Sequence, residues 1–323
     1  MTVAPNPPLL VIRVSNWIGD IVLMLPALER LGQHYRLHLV GKRWLADLLA
    51  AYGWTCHVHP RTWRERVDLL RRLRRLDSRA RALCMPTSLS SALEFRLAGL
   101  PAIGYAKEGR SPLLAQALPI PRGVHMSDHF AQLAEAALPA SVATGNPFAA
   151  ESAGQPSAGL RLAPAVRDEA RQAIDSAGVK APFVVICPFA SGAIEGQDKR
   201  WPGFAELVQA LAARGVPVLA CPGPGEESEL RERLPGVVAL PGLSVAAYAG
   251  VLDQAACVVA NDTGPGHLAA ALGVPLVSVL GPTDPSRWGA RGDHVRILRG
   301  QPDWPPVDQV LAAVDSSLGK TPG

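Results

Sequence analysis

The stretch Cys257-Val-Val-Ala-Asn-Asp-Thr-Gly-Pro-Gly-His-Leu-Ala-Ala-Ala-Leu272 decides the fold. Residues 257–260 are apolar without alternation, the pattern of a strand buried on both faces. A polar, glycine-containing loop follows, and then an alanine-rich helix is expected over 266–272. A second apolar run, 275–280, reads as the next strand. Strand, helix and strand in this order require a parallel sheet with a right-handed crossover. Upstream, strands are expected over 183–187 and 217–221, and helices over 201–214 and 243–253. Downstream, a last helix over 307–318 closes the chain.

The same alternation occupies the first half. Leu9-Leu-Val-Ile-Arg-Val14 reads as a buried strand, 15–19 as a turn and 20–31 as a helix. Further strands are expected over 37–40, 82–85 and 102–105, and Leu69, Leu70, Leu73 and Leu76 share one helix face. Residues 143–159 are rich in Ala, Gly, Ser and Pro and read as a linker. The 323 residues therefore divide into two α/β domains, 1–158 and 159–323, each a doubly wound sheet. No period of 20–50 residues recurs, which excludes a solenoid.

Hydrophobic residues make up 48% and charged residues 19% of the chain, as in a soluble globular protein. No apolar run reaches the roughly 20 residues of a membrane span. The longest, 258–280, is broken by Asp262, His267, glycine and proline. Residues 1–8 lack a basic segment, so no signal peptide is expected. Five cysteines without C-x-x-C spacing fit reduced thiols in a cytoplasmic protein, with Cys187, Cys221 and Cys257 in strand-like segments. Residues 1–158 carry 18 Lys/Arg against 11 Asp/Glu, whereas 159–323 carry 14 against 17. The basic half should favour an anionic partner.

Three loops follow strands, where open α/β sheets place ligands. The first is Ser15-Asn-Trp-Ile-Gly-Asp20. Asp20 opens the helix, and its residue type suits either an N-cap or a general base. The second is Asp198-Lys-Arg-Trp-Pro202. Lys199 and Arg200 suit either a phosphate clamp or a solvated loop, with Pro202 in the first helical turn. The third is Asn261-Asp-Thr-Gly-Pro-Gly-His267. Thr263 can cap the helix, Gly264 and Gly266 let backbone N–H groups approach an anion, and Asp262 can orient a sugar hydroxyl or the loop. His267 reads first as a packed, hydrogen-bonded histidine. Gly281-Pro-Thr-Asp284 should line the same region. Glu226 or Glu227, after the strand at 217–221, could accept from a ribose or serve as a first-turn acid.

Nine arginines lie within 61–81. Their helical spacing fits a solvated amphipathic helix; the alternative is contact with anionic lipid. Nucleic acid is not favoured, because no binding module surrounds them. No G-x-G-x-x-G follows the first strand, which argues against a dinucleotide oxidoreductase. No H-x-x-x-H or Asp-x-Asp cluster points to a metal, and Gly319-Lys-Thr321 lacks the rest of a P-loop.

At these residues the chain resembles glycosyltransferase family 9, the ADP-heptose:lipopolysaccharide heptosyltransferases. Leu10-Val-Ile-Arg-Val-Ser-Asn-Trp-Ile-Gly-Asp20 with Leu25-Pro-Ala27 is similar to the family's opening. Asp198-Lys-Arg-Trp-Pro202 is similar to its K-R-W-P segment. Residues 261–275 and 281–284 are similar to its C-terminal signature. Met85-Pro-Thr-Ser-Leu-Ser-Ser-Ala92, Ala98-Gly-Leu-Pro101 and Ile103-Gly-Tyr105 look most like the heptosyltransferase II branch.

The resemblance implies a GT-B fold, two Rossmann-like domains facing a central cleft. It implies inverting, metal-independent transfer from the donor substrate ADP-L-glycero-D-manno-heptose, with no cofactor. The acceptor would be an anionic, Kdo-bearing lipid A precursor of the lipopolysaccharide inner core. The C-terminal domain would hold the donor and the N-terminal domain the acceptor. Asp20 matches the catalytic aspartate and Lys199 the lysine that neutralises the departing diphosphate. Arg200, Glu226, Asp262, Thr263, Gly264, Gly266 and His267 would line the donor site, and Asn16, Trp17 and Ser88 the acceptor site. The location implied is cytoplasmic, with peripheral contact at the inner membrane as an alternative.

The chain departs from the family's Pro-Gly-Ala at Pro188-Phe-Ala190, and the following loop, 191–197, is glycine-rich. A family-9 enzyme with another nucleotide sugar or a protein acceptor therefore stays open. So does a non-catalytic nucleotide-sugar- or glycan-binding protein, although retention of Asp20 and Lys199 argues against it.

Overall fold

The structure, a computed structural model, describes residues 7–143, 159–190, 193–194, 197–281, 284–300 and 304–319. The chain forms two compact units, Met1–Ala153 and Gly154–Gly323. Most of the expected linker, and parts of the loops at 191–197 and 281–284, lie outside the described residues.

In the first unit, β1 (Leu9–Arg13), α1 (Ile18–Gly32), β2 (Arg36–Gly41), α2 (Trp44–Leu48), β3 (Thr55–Val58), α3 (Trp63–Arg75), β4 (Arg81–Cys84), α4 (Leu89–Ala98), β5 (Ala102–Tyr105), β6 (Gln116–Leu118) and α5 (Met126–Ala137) follow in order. Its six strands pair in the order β3-β2-β1-β4-β5-β6, all parallel. All five residues of β1 are buried. Leu9 and Val11 join Val67, Leu70 and Leu73 of α3 and Phe95 and Ala98 of α4 in one core. Leu10 and Ile12 point to the other face by the two-residue period of a strand and are equally buried. Helices therefore cover both faces, with α1 packed on α5 and α3 on α4.

The second unit repeats the plan: α6 (Pro164–Ser176), β7 (Val184–Cys187), a two-strand antiparallel ribbon β8 (Ala193–Ile194) and β9 (Gln197–Asp198), α7 (Phe204–Ala213), β10 (Val218–Ala220), α8 (Glu227–Arg233), β11 (Val238–Ala239), α9 (Val245–Asp253), β12 (Cys257–Asn261), α10 (Gly264–Ala271), β13 (Leu276–Leu280), α11 (Pro285–Trp288), β14 (Val295–Arg299) and α12 (Val307–Ser317). Its main sheet runs β11-β10-β7-β12-β13-β14, again all parallel. One core joins Val184, Ile186, Val259 and Val277 to Phe204, Leu207 and Leu211 of α7 and to Val310 and Val314 of α12. Each of these side chains, moved from water to the interior, contributes roughly 1.5–3 kcal/mol.

Counted within each sheet, both strand orders are 3-2-1-4-5-6, the doubly wound order. The order reverses between the first and fourth strands, and that edge receives the loops singled out by the sequence.

Several expectations are corrected. α1 begins at Ile18, so Asp20 is the third residue of the helix and not its N-cap; Trp17 holds the cap position without a side-chain cap. α7 begins at Phe204 rather than 201, because Trp201 is drawn into the core, and Pro202 precedes the helix. Leu76 leaves the buried stripe of Leu69, Leu70 and Leu73 and is 60% exposed, since α3 ends at Arg75. All five cysteines are free; Cys84, Cys187 and Cys257 are buried, whereas Cys56 and Cys221 are partly exposed.

Candidate active site

At the switch point of the first sheet, β1 and β4 run side by side, Arg13 pairing with Cys84. The Met85 N–H donates to the Arg13 carbonyl (3.1 Å), so the loops leaving the two strands start together. The β1 loop carries Asn16 and Trp17 and leads into Asp20 in the first turn of α1, and the β4 loop carries Ser88.

Asp20 is partly buried in the first turn of α1. Its Oδ2 accepts from the Ser15 hydroxyl at 2.5 Å. Burial pushes the carboxyl above its usual range, and the Ser15 hydrogen bond pulls it partway back. A carboxylate so placed is a better proton acceptor than a solvated one. The Asn16 side chain is held by Arg13, whose Nη2 donates to Oδ1 at 3.1 Å. Trp17 projects outward, 67% exposed, and its N–H donates to Ser15 Oγ (3.3 Å).

Ser88 is exposed and caps α4, its Oγ accepting from the Ser91 N–H at 3.4 Å. The loop before it is braced by Arg110, a residue the sequence did not mark. Arg110 has no exposed surface. Its guanidinium donates to the carbonyls of Tyr105 (2.7 Å), Pro86 (2.5 Å) and Ser88 (3.2 Å) and to Ser91 Oγ (3.3 Å). Its Nη2 has no hydrogen-bond partner. A lone arginine in a loop gives no sign of burial, so no local pattern could have found it.

In the second sheet the switch point lies between β7 and β12, with Cys187 paired to Ala260. Asn261, one residue on and 1% exposed, organises it. Its Oδ1 accepts from the Trp201 N–H at 2.9 Å, and its Nδ2 donates to the Pro188 carbonyl at 2.8 Å. One amide thus ties the Lys199-Arg200-Trp201 segment to the ends of both central strands. Its partners lie 60 to 74 residues away in sequence, so no local pattern marks Asn261 as the organiser. Lys199 is partly buried, and Arg200 pairs with Glu229 (3.0 Å).

α10 starts at Gly264, and Thr263 occupies its cap position with no side-chain cap. The Thr263 hydroxyl donates instead to the Asn261 carbonyl (3.3 Å), which corrects the expected capping role. The first-turn N–H groups of α10 therefore receive no acceptor from Thr263, and such a terminus attracts anions. Gly266 is buried against β12: an added Cβ would stand 3.3 Å from the Ala260 Cβ and 3.4 Å from the Asn261 carbonyl oxygen. His267 is buried, with Nε2 3.8 Å from Asp262 Oδ1. Burial lowers its basicity more than Asp262 raises it. It is packed as expected, but not hydrogen-bonded, since Nδ1 has no partner.

Glu226 lies after β10, the strand beside β7, and its Oε2 accepts from the Gly223 N–H at 2.7 Å. Asp284 caps α11 by accepting from the Ser286 N–H at 3.0 Å. Phe189 turns onto the core of its unit. Among the described residues, no group of three or more His, Cys, Asp or Glu side chains could hold a metal ion, and no helix is long and apolar enough to cross a membrane.

Two doubly wound units with ligand-type loops at both switch points fit many nucleotide-dependent proteins. The profile of glycosyltransferase family 9 (heptosyltransferase) matches residues 66–310. The chain belongs to glycosyltransferase family 9. Lipopolysaccharide heptosyltransferase 1 of Pseudomonas aeruginosa is 44% identical over 100 residues, 29% of this chain and 28% of that protein. Lipopolysaccharide heptosyltransferase 2 of Salmonella typhimurium is 27% identical over 309 residues, 88% of this chain and 86% of that protein. The first of these matches thus spans less than a third of the relative's length, and the second most of it.

Among solved family-9 structures, Escherichia coli ADP-heptose lipopolysaccharide heptosyltransferase II superposes with a TM-score of 0.78 at 22% identity, covering 96% of this chain and 98% of that one. A family-9 glycosyltransferase from Veillonella parvula gives 0.81 at 15% identity, covering 99% and 100%. The shared fold is GT-B, built from two Rossmann-like units.

Proposed function

We propose that this family-9 protein is an inverting, metal-independent heptosyltransferase. It moves heptose from ADP-L-glycero-D-manno-heptose to the Kdo-bearing inner core of a lipid A precursor, at the cytoplasmic face of the membrane. The observation that carries the reading is Asp20, a partly buried carboxylate of raised basicity at the first switch point. A base so held suits removal of a proton from an acceptor hydroxyl.

In this reading Asp20 takes the hydroxyl proton as the oxygen attacks the anomeric carbon. The bond from that carbon to the ADP phosphate oxygen breaks on the opposite side, which inverts the centre. Charge then develops on the diphosphate. Lys199 and the α10 N-terminus at Thr263, Gly264 and Gly266 supply compensating positive potential. Arg200 reaches the phosphates by leaving Glu229. Asp262 and the neutral His267 bind the donor's hydroxyls, and Glu226 shapes the nucleotide side of the pocket. Asn16, Trp17 and Ser88 contact the acceptor, whose negative charge suits the basic first half.

The test is heptose transfer from ADP-heptose to a Kdo-containing lipid A acceptor by wild type and Asp20→Ala. Loss of turnover in the variant, with ADP-heptose binding retained, is the expected result. Wild-type protein that binds ADP but transfers no heptose would overturn the donor or acceptor assignment.

A further inference from the structure

α3 and α4 lie side by side on one face of the first sheet. α4 turns Ala92, Phe95 and Ala98 into the core. On its outer side Leu89, Leu93 and Leu97, spaced four residues apart, remain 46%, 41% and 43% exposed. A helix that is apolar on both sides has a second surface suited to burial.

The neighbouring surface is cationic. α3 exposes Arg64, Arg71, Arg72, Arg74 and Arg75. Arg71 Nη2 donates to the Leu97 carbonyl at 3.4 Å, which sets the arginine row against the end of the leucine stripe. Trp63, 58% exposed, opens α3 with the Arg64 guanidinium 5.9 Å from its ring centroid. The nearby acids are few and engaged. Asp68 pairs with Arg71 (3.2 Å), Glu94 is buried against Arg66 (3.1 Å), Glu65 caps α3 and Glu108 accepts from the Leu89 N–H (3.3 Å).

We infer that the α3–α4 face docks on an anionic lipid bilayer, the leucines entering the acyl boundary while the arginines bind headgroup phosphates. An apolar row edged by arginines and an exposed tryptophan is the composition of interfacial helices. A second copy of the chain is the poorer occupant, because a two-fold contact would set arginines against arginines. The stripe begins beside Ser88, but the inference rests on the surface alone and holds whatever the transferred sugar.

The test is co-sedimentation of the full-length protein with vesicles of phosphatidylethanolamine and phosphatidylglycerol, against vesicles of phosphatidylcholine. Wild type should partition at least about tenfold better into the anionic vesicles, and Arg71→Gln/Arg74→Gln/Arg75→Gln should lose that preference. Leu93→Glu/Leu97→Glu should bind about tenfold less to the anionic vesicles, with unchanged circular dichroism and Tm. Wild type that ignores anionic vesicles, or a double-glutamate variant that binds like wild type, overturns the inference. So does a lipid-free dimer that the glutamate pair converts to monomer.

Discussion

The Ser15 hydroxyl, 2.5 Å from Asp20 Oδ2, works against the burial that surrounds the carboxyl. It donates to the charged form, whereas desolvation favours the neutral one. Removing it should raise the Asp20 pKa further. With Asp20 as the base, activity requires the deprotonated form and falls as pH drops through that pKa. Ser15→Ala should therefore move the acidic limb of the kcat profile to higher pH while leaving its alkaline limb in place. A limb that stays put or moves down would remove Asp20 from the base role.

Lys199 sits directly after β9 and just before the anchored Trp201, in a segment fixed by its neighbours. Lys199→Ala should cut kcat about 100-fold, as loss of one charge-stabilising group does, with a smaller change in the KM for donor. An equal loss in donor affinity with kcat preserved would make Lys199 a ground-state binding residue instead.

Asn261 is directional: its oxygen receives an N–H and its nitrogen faces carbonyls. Asn261→Asp puts an oxygen opposite the carbonyls of Pro188 and Cys187, and Asn261→Leu leaves the Trp201 N–H unpaired. Either change should destabilise the protein by roughly 2–4 kcal/mol, read as a lower denaturant midpoint at unchanged slope.

Arg110 holds three backbone carbonyls at once, those of Tyr105, Pro86 and Ser88. Arg110→Gln is too short to reach them all and should cost roughly 2–4 kcal/mol. In the surviving folded fraction the KM for acceptor should rise more than the KM for donor, because the loop it braces leads to Ser88. Equal changes in both would reduce Arg110 to a general stabiliser.

The central strands were legible because they are predominantly apolar runs without alternation, β1, β7, β12 and β13 above all. The edges were not. β3 is half-exposed Thr-Cys-His-Val without alternation, and β14 mixes arginine with aliphatic residues. α4 escaped notice because Leu89, Leu93 and Leu97 outside and Ala92, Phe95 and Ala98 inside together erase its periodicity. α6 carried a readable stripe in Val166, Ala170 and Ile174, yet its N-cap is alanine and only Pro164 marks its start. In the site, the loops were recognisable from glycine, charge and position. The contacts that fix them were not, since Asn261 and Arg110 act on backbone groups far away in sequence.

Every strand pair in the two six-stranded sheets is parallel, so no neighbours can meet through a tight hairpin. The central pairs join distant segments, Ile12 with Leu83 and Val185 with Val258. Such pairing must close long loops before it gains contacts, which makes it slow. The switch points that place Asp20 and Asn261 are therefore assembled late. During refolding, helical circular dichroism should recover first and catalytic competence last, and a chain halted midway would hold most of its helices and neither switch point.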